Sequence, residues 1–430
     1  MATKTTKNVN SLTAKAFYNY LKGSGNDHTY YVGLAYFSDS DYLDHAGRVD
    51  SESGLYGGLE GDSEAYDLGD FESYYKNTTT IHKIYPGGVS RVVPRIDWNQ
   101  GTVYESWSPT STFHYVVVNE FYNGISKLNV YKCLYSPQAP SLSPPQGALP
   151  LPFQTDDNYW WLYMYTISNS EALRFMTADW MPVPEKVLNS EIETLQQGTN
   201  KYYQYIQQVS ATRGAIYNTV IDSDAAIAQF PALKAGATKR ILATNTDPFV
   251  TDSDQFIADI VWDSEIDKLY MSLVSAGSGY SSNVTFTDDS DREISWVTPF
   301  VAPGAGHGTD APTELGARYM MVASRVTPSD EILYMMTGTF KMITLVQNPT
   351  DKLTNDVATN DYYFACRSFT TNATNEFAIG DVLKSRFSDD GRRLRVVGVN
   401  DRKIYYTDIT PSALNLTGLL ADSEYVTDVS

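Results

Sequence analysis

The chain has 430 residues and a formal net charge of −19 at pH 7, a balance that argues against a general nucleic-acid binder, whose phosphate contacts need a basic surface. Its hydrophobic share is that of a soluble globular protein, long enough for two or three domains and a large core. Its 32 tyrosines suit half-buried strands and partner interfaces, since the ring is apolar and its tip polar. Cys133 and Cys366 are the only cysteines; outside any CxxC pattern, they read as a reduced, buried pair rather than a zinc site. The N-terminal MATKTTKNVNS lacks a hydrophobic signal core, and no apolar run reaches the length of a membrane span. The Asn-x-Ser/Thr matches at Asn77, Asn283, Asn372 and Asn415 therefore carry little weight.

In chain order, residues 1 to 10 read as a polar tail. Ser11 is placed to cap a helix over Leu12 to Lys22, with Phe17 and Leu21 on one face and Gly23 ending it. Thr29 to Phe37 reads as a strand. From Asp39 to Glu72 eleven acids stand against one arginine, Arg48, the composition of an exposed loop. Asp39, Asp41 and Asp44 invite a calcium reading, but the spacing departs from the EF-hand loop, and a solvated acidic loop is favoured. Ile81 to Tyr85 is strand-like. In Ser90 to Trp98, Pro94 predicts an edge strand or a bend. Phe113 to Tyr122 and Lys127 to Tyr135 flank Asn123-Gly124 and predict a hairpin.

The segment Tyr131 to Ile167 organises what surrounds it. Leu128, Val130 and Leu134 fall on one strand face, and Tyr131, Cys133 and Tyr135 on the other. A proline-rich connection follows. The run YWWLYMYTI, Tyr159 to Ile167, has almost no polar position. A buried helix has the same composition, but nine residues between an Asp-Asp turn and Ser-Asn-Ser favour a strand covered on both faces. Ser168 and Glu171 form a capping-box pattern for a short helix to about Met176, stopped before Pro182 and Pro184.

Lys186 to Leu195 reads as helical. Beyond it ATRGAIYNTVI, ATKRILAT, QFIADIVW, KLYMSLV, NVTFT and REISWVTPF are short strand-like pieces between turns, the pattern of a small β module. No repeat period is visible. From Ala317 longer strands return, ARYMMVASRV and FKMITLVQNP. In the latter Phe340, Met342 and Val346 share one face, and Ile343 and Leu345 the other. A hairpin closes the chain, Leu394 to Val399 and Lys403 to Ile409, turning at Asn400-Asp401-Arg402.

Several of these segments occur in an order that resembles one family. They are AFYNYLKGSG (Ala16 to Gly25), VVPRIDW (Val92 to Trp98), YKCLYSP (Tyr131 to Pro137), SPPQG (Ser143 to Gly147), DNYWWLYMYTI, and FKMITLVQNP (Phe340 to Pro349). Together they resemble the small dimeric baseplate wedge subunit of T-even-type, contractile-tail bacteriophages. The resemblance covers roughly residues 12 to 185 and 317 to 410. The acidic loop after Phe37 departs in composition, and residues 190 to 315 look like an insertion. VAPGAGHGTDAPTELGARY resembles segments of other tail proteins. The resemblance implies a layered β-sandwich with short helical excursions, a homodimer, contacts with other baseplate wedge proteins, and no catalysis. With the insertion it divides the chain into 1–185 and 316–430, two parts of a wedge β-sandwich, and 186–315, an inserted β-rich module.

The residues themselves suggest little chemistry. Gly304-Ala305-Gly306-His307-Gly308 resembles a phosphate loop in glycine content, but Pro303 precedes it, Thr-Asp-Ala-Pro follows, and no P-loop lysine is present, so a backbone turn is favoured. His28, His45, His82, His114 and His307 form no HxH or HExxH pattern. No GxSxG elbow occurs. The acid pairs Asp156-Asp157 and Asp288-Asp289 read as turn residues rather than a glycosidase pair. Trp98, Trp107, Trp160, Trp161 and Trp180 suit sugar stacking in principle, while Trp160 and Trp161 read as core. No catalytic, cofactor-binding or metal-ligating residue is assigned, and no cofactor, nucleic-acid or membrane partner. The expectation is a mainly β structural virion protein of the tail baseplate, assembled in the host cytoplasm. A tail-associated carbohydrate-binding or depolymerising protein is the alternative.

Overall fold

The computed structural model describes residues 2–22, 29–36, 78–122, 125–245, 254–264, 268–281, 284–324, 340–350, 356–364, 367–372, 377–378, 381–385, 393–408 and 426–428. The acidic loop 39–72 and Cys366 lie outside them. The fold is mainly β. A helix, α1 (Ala2–Lys22), opens the chain. Strands β1 (Tyr30–Tyr36), β2 (Thr78–Lys83), β3 (Val89–Pro94), β4 (Tyr115–Tyr122), β5 (Ile125–Tyr135), β6 (Phe153–Gln154) and β7 (Trp160–Ile167) precede helix α2 (Asn169–Phe175). After β8 (Trp180–Val183) come α3 (Asn200–Val209), β9 (Ile216–Ile221) and α4 (Ser223–Gln229). Then follow β10 (Lys239–Asn245), β11 (Phe256–Asp263), β12 (Lys268–Ala276), β13 (Val284–Asp288), β14 (Glu293–Ile294), β15 (Val297–Val301), a single turn α5 (Ala311–Glu314) and β16 (Tyr319–Val322). The remainder holds β17 (Phe340–Gln347), β18 (Tyr362–Phe364), β19 (Arg367–Thr370), β20 (Val382–Ser385), β21 (Arg393–Asn400), β22 (Lys403–Asp408) and β23 (Val426–Asp428).

Contacts divide the chain into two compact units. The first joins Met1–Asn19 to Val89–Val322; the second joins Tyr20–Gly88 to Ala323–Ser430. These bounds differ from the division at 185 and 315. The first unit holds the sheets β4-β5-β7-β6, β16-β3-β8, β12-β11-β10-β13-β14 and β15-β9. The second holds β17-β1-β2-β18 and β19-β22-β21-β20-β23.

Strand β7 has the two-sided burial its sequence predicts, because it lies between β5 and β6 and has core on both faces. Trp161 and Tyr163 pack with Tyr104, Val116, Tyr131 and Cys133. Leu162, Met164 and Ile167 pack into a second cluster with Val130, Leu134 and Met181. That second cluster continues without a break through Ile241, Phe256, Ile260 and Phe286. The strands of 186–315 therefore share a core with the central sheet rather than closing one of their own. Tyr135 also lies on this side, because the register shift between Cys133 and Tyr135 turns it from the face that strict alternation predicts.

Several local expectations change. Helix α1 starts at Ala2, since no glycine or proline interrupts Ala2–Lys22. Ser11 is thus interior to the helix rather than its cap, and its hydroxyl donates to the Ala317 carbonyl at 3.3 Å. Strand β3 is central in its sheet, not an edge, because Pro94 is its last residue and no further ladder N–H is needed there. Lys186 to Leu195 holds only a 3-10 turn, Asn189–Thr194. The capping box at Ser168 and Glu171 is present. The last hairpin turns tighter than expected, with Asn400 paired to Lys403 and Asp401 at φ 53°.

Candidate functional site

Two arrangements in the first unit concentrate polar chemistry around the central sheet. One is the proline-rich strap between β5 and β7, residues 136–152. Six of its 17 residues are proline and donate no backbone hydrogen bond, and side chains from outside the strap hold amides that remain. Asp157 Oδ2 accepts from Leu142 N at 2.7 Å, Ser143 N at 3.0 Å and Ser141 Oγ at 2.9 Å. Burial pushes the Asp157 carboxyl up, but the bonds from Thr155, Ser143, Leu142 and Ser141 outweigh it and hold the group below its ordinary value. Ser141 is also tied by backbone bonds to Gly101 and Thr102, each 2.8 Å. At the other end, the Glu120 carboxylate accepts from Gly147 N and from Asn129 Nδ2. The Tyr131 hydroxyl lies between that carboxylate and the Gly147 carbonyl, and burial pushes its ionisation far above the usual range. While its backbone is held, the strap turns Leu142, Leu149 and Leu151 outward, at 59%, 62% and 58% exposure. A cleft of about 470 Å³ adjoins it, lined by Trp98, Val117, Glu120, Phe121, Pro144 and Gln146 among others.

The second arrangement is a buried cluster under the glycine-rich loop. Lys132 on β5 and Glu314 at the end of α5 are fully enclosed, with Lys132 Nζ 2.5 Å from Glu314 Oε2 and 2.7 Å from His307 Nδ1. The ammonium also lies 4.4 Å from the Trp107 ring centroid, a cation–π contact in a dry site. Gly308 N donates to both Glu314 carboxylate oxygens at 2.9 Å, and Asp310 N donates to Oε1 at 3.1 Å. Gly306 and Gly308 have φ of 97° and 92°, the left-handed region that this tight turn requires. The glycine loop thus does hold an anion by its amides, but that anion is the protein's own carboxylate. His114 Nε2 lies 3.2 Å from the Glu314 carbonyl.

Electrostatics follow from this enclosure. Burial first, then the neighbouring Lys132 charge, draws His307 down to about 4 and His114 to about 3, so both rings are neutral at pH 7. Burial lowers Lys132, with Glu314 opposing. Burial would raise Glu314, but Lys132 and His307 hold it below the usual carboxylate range. A second buried cation clamps the same segment from β3. Arg91 Nη2 donates to the Ala317 carbonyl at 2.7 Å and to Ser11 Oγ at 3.1 Å, and Nη1 lies 3.4 Å from Glu185 Oε1.

Of the residues weighed from sequence, the structure brings His307, His114 and Trp107 together around Lys132 and Glu314. Lys132 carried a signal: it falls on the apolar face of Leu128, Val130 and Leu134, where a lysine needs a buried anion. Glu314 carried none, being 182 residues away. Asp288 acts in a turn, accepting from Ser290 N and Arg292 N, whereas Asp157 holds the strap 14–16 residues back in the chain. Trp161 is core, and Trp107 is buried against His307. A broad groove of about 550 Å³ runs between residues 105–112, 218–221 and 269–271; among its described lining residues Glu105 is the one acid, and its carboxylate accepts from Thr112 N and Phe113 N. Among the described residues no group of three or more His, Cys, Asp or Glu is placed to hold a metal ion, and no helix is long and apolar enough to cross a membrane. No protein-family model matches the chain, and no curated protein matches it.

Proposed function

We propose that this chain is a structural subunit of a contractile phage tail baseplate wedge, which scaffolds neighbouring wedge proteins as a homodimer. The observation that carries the reading is the strap: its backbone is pinned at Leu142 and Ser143 from Asp157 and at Gly147 from Glu120 and Tyr131, while Leu142 and, just beyond Gly147, Leu149 and Leu151 face solvent. A rigid loop that presents apolar side chains loses little conformational entropy on docking, which suits an assembly contact. The order of sequence motifs, which resembles that of the wedge subunit family, supports the choice of family. The dimer contact is assigned to β17, which among the described residues is the edge of its sheet, turns Ile343 and Leu345 outward at 72% and 49% exposure, and bears no charged side chain from Ile343 to Gln347. Antiparallel pairing of two such edges is self-complementary, as a twofold contact must be.

In purified particles of the phage that encodes it, the chain is expected among the baseplate proteins by quantitative mass spectrometry. Leu142→Ser, Leu149→Ser and Leu151→Ser together should leave the dimer intact and prevent incorporation. Absence of the wild-type chain from purified particles would overturn the reading.

A further inference from the structure

The geometry points to an intramolecular isopeptide bond: Lys132 and Glu314 are placed to condense into an amide, with His307 carrying the proton and the Gly308 and Asp310 amides stabilising the oxyanion. Each part of such a reaction is present in the buried cluster. The nucleophile Nζ lies 2.5 Å from the carboxylate it would attack. The oxygen that would become the oxyanion, Oε1, receives Gly308 N at 2.9 Å and Asp310 N at 3.1 Å, the arrangement that stabilises a tetrahedral intermediate. His307 Nδ1 is 2.7 Å from Nζ, within reach of the amine proton, and 3.7 Å from Oε2, so delivery to the leaving oxygen needs that gap to close by about 0.5 Å as the intermediate forms. Trp107 and the burial of all three groups keep bulk water away.

The step balances without a co-reactant. Lys132 enters as ammonium and Glu314 as carboxylate. One proton passes from Nζ to Oε2, leaving a neutral amine and a neutral acid, and Nζ attacks Cδ. A second proton leaves Nζ through His307 and reaches Oε2. The Cδ–Oε2 bond breaks, water departs, and Oε1 becomes the amide oxygen. Nothing is oxidised or reduced. Holding the partners in contact supplies an effective molarity of up to about 10⁵–10⁸ M, and the product removes two buried charges whose desolvation opposes the ion pair. The bond would fasten the middle of β5 to the end of α5 across 182 residues.

The test is intact mass of the wild-type chain under denaturing conditions, where an ion pair separates and an amide does not. The expected mass is one water below that of the sequence. Tryptic digestion should give a branched peptide joining residues 128–174 to residues 293–318. Lys132→Arg and Glu314→Ala should each have their full calculated mass and no branched peptide, and His307→Asn should acquire the bond at least tenfold more slowly. A wild-type chain that stays at full mass after prolonged incubation, with no branched peptide, would overturn the proposal without relying on any variant. An unchanged rate in His307→Asn would remove that residue from it.

Discussion

Substituting Asp157 by asparagine should release the strap without unfolding the sheet beneath it. The carboxylate accepts three bonds on Oδ2, two from backbone amides of the strap and one from Ser141 Oγ, with Thr155 on Oδ1. A hydrogen bond to a charged acceptor is worth about 1.5–3 kcal/mol when fully buried. Asp157 is only partly buried, so each is discounted to under about 1 kcal/mol, giving about 2 kcal/mol in total. That is roughly thirtyfold in the local opening equilibrium. Hydrogen exchange at the Leu142 and Ser143 amides measures it, since exchange reports local opening rather than global stability. The pH dependence has a definite sign. The folded carboxyl is held below its ordinary value, so its stabilisation is complete above the unfolded pKa and is lost as pH falls through the folded one. Protection at Leu142 and Ser143 should therefore decline in the wild type below about pH 4 and stay flat in Asp157→Asn. Equal protection in the two proteins at pH 7 would refute the assignment of Asp157 as the strap's anchor.

Leu162→Ala removes a side chain that is 1% exposed at the centre of the shared core, and should cost about 2–5 kcal/mol, seen as a lower urea midpoint for the first unit. Two glycines of one loop should respond differently. Gly306→Ala meets φ +97° and the Thr212 carbonyl oxygen 2.8 Å from the new Cβ, so it should lose about 1–3 kcal/mol. Gly304→Ala, with nothing within 4 Å and no positive φ, should be neutral within about 0.5 kcal/mol by thermal melting.

Much of the first unit was legible because its signals are local. YWWLYMYTI has apolar residues on both faces, and β7 accordingly separates two packed clusters. The capping box at Ser168 and the last hairpin depend on residues a few positions apart. What sequence reading missed depends on distant partners. A strand such as Phe256–Asp263 shows the same alternation whether it covers its own module or a neighbouring sheet, so composition alone could not place residues 186–315 in the core shared with β7. The glycine content of residues 304–308 predicts a turn, which the structure has, but the carboxylate that turn encloses comes from Glu314 and the opposing charge from Lys132, far back in the chain. Pro94 suggested an edge because its position within the strand, the last residue, is set by pairing with Trp180.

The most direct test of the assembly reading is the absolute mass of the purified chain in solution, by light scattering behind a sizing column, with Ile343→Lys beside it. The account predicts a wild-type mass near twice the 47.9 kDa of one chain and a single-chain mass for the variant. A trimer would contradict it and direct attention to a fibre or spike that binds sugars; a wild-type monomer at every concentration would remove the twofold contact assigned to β17.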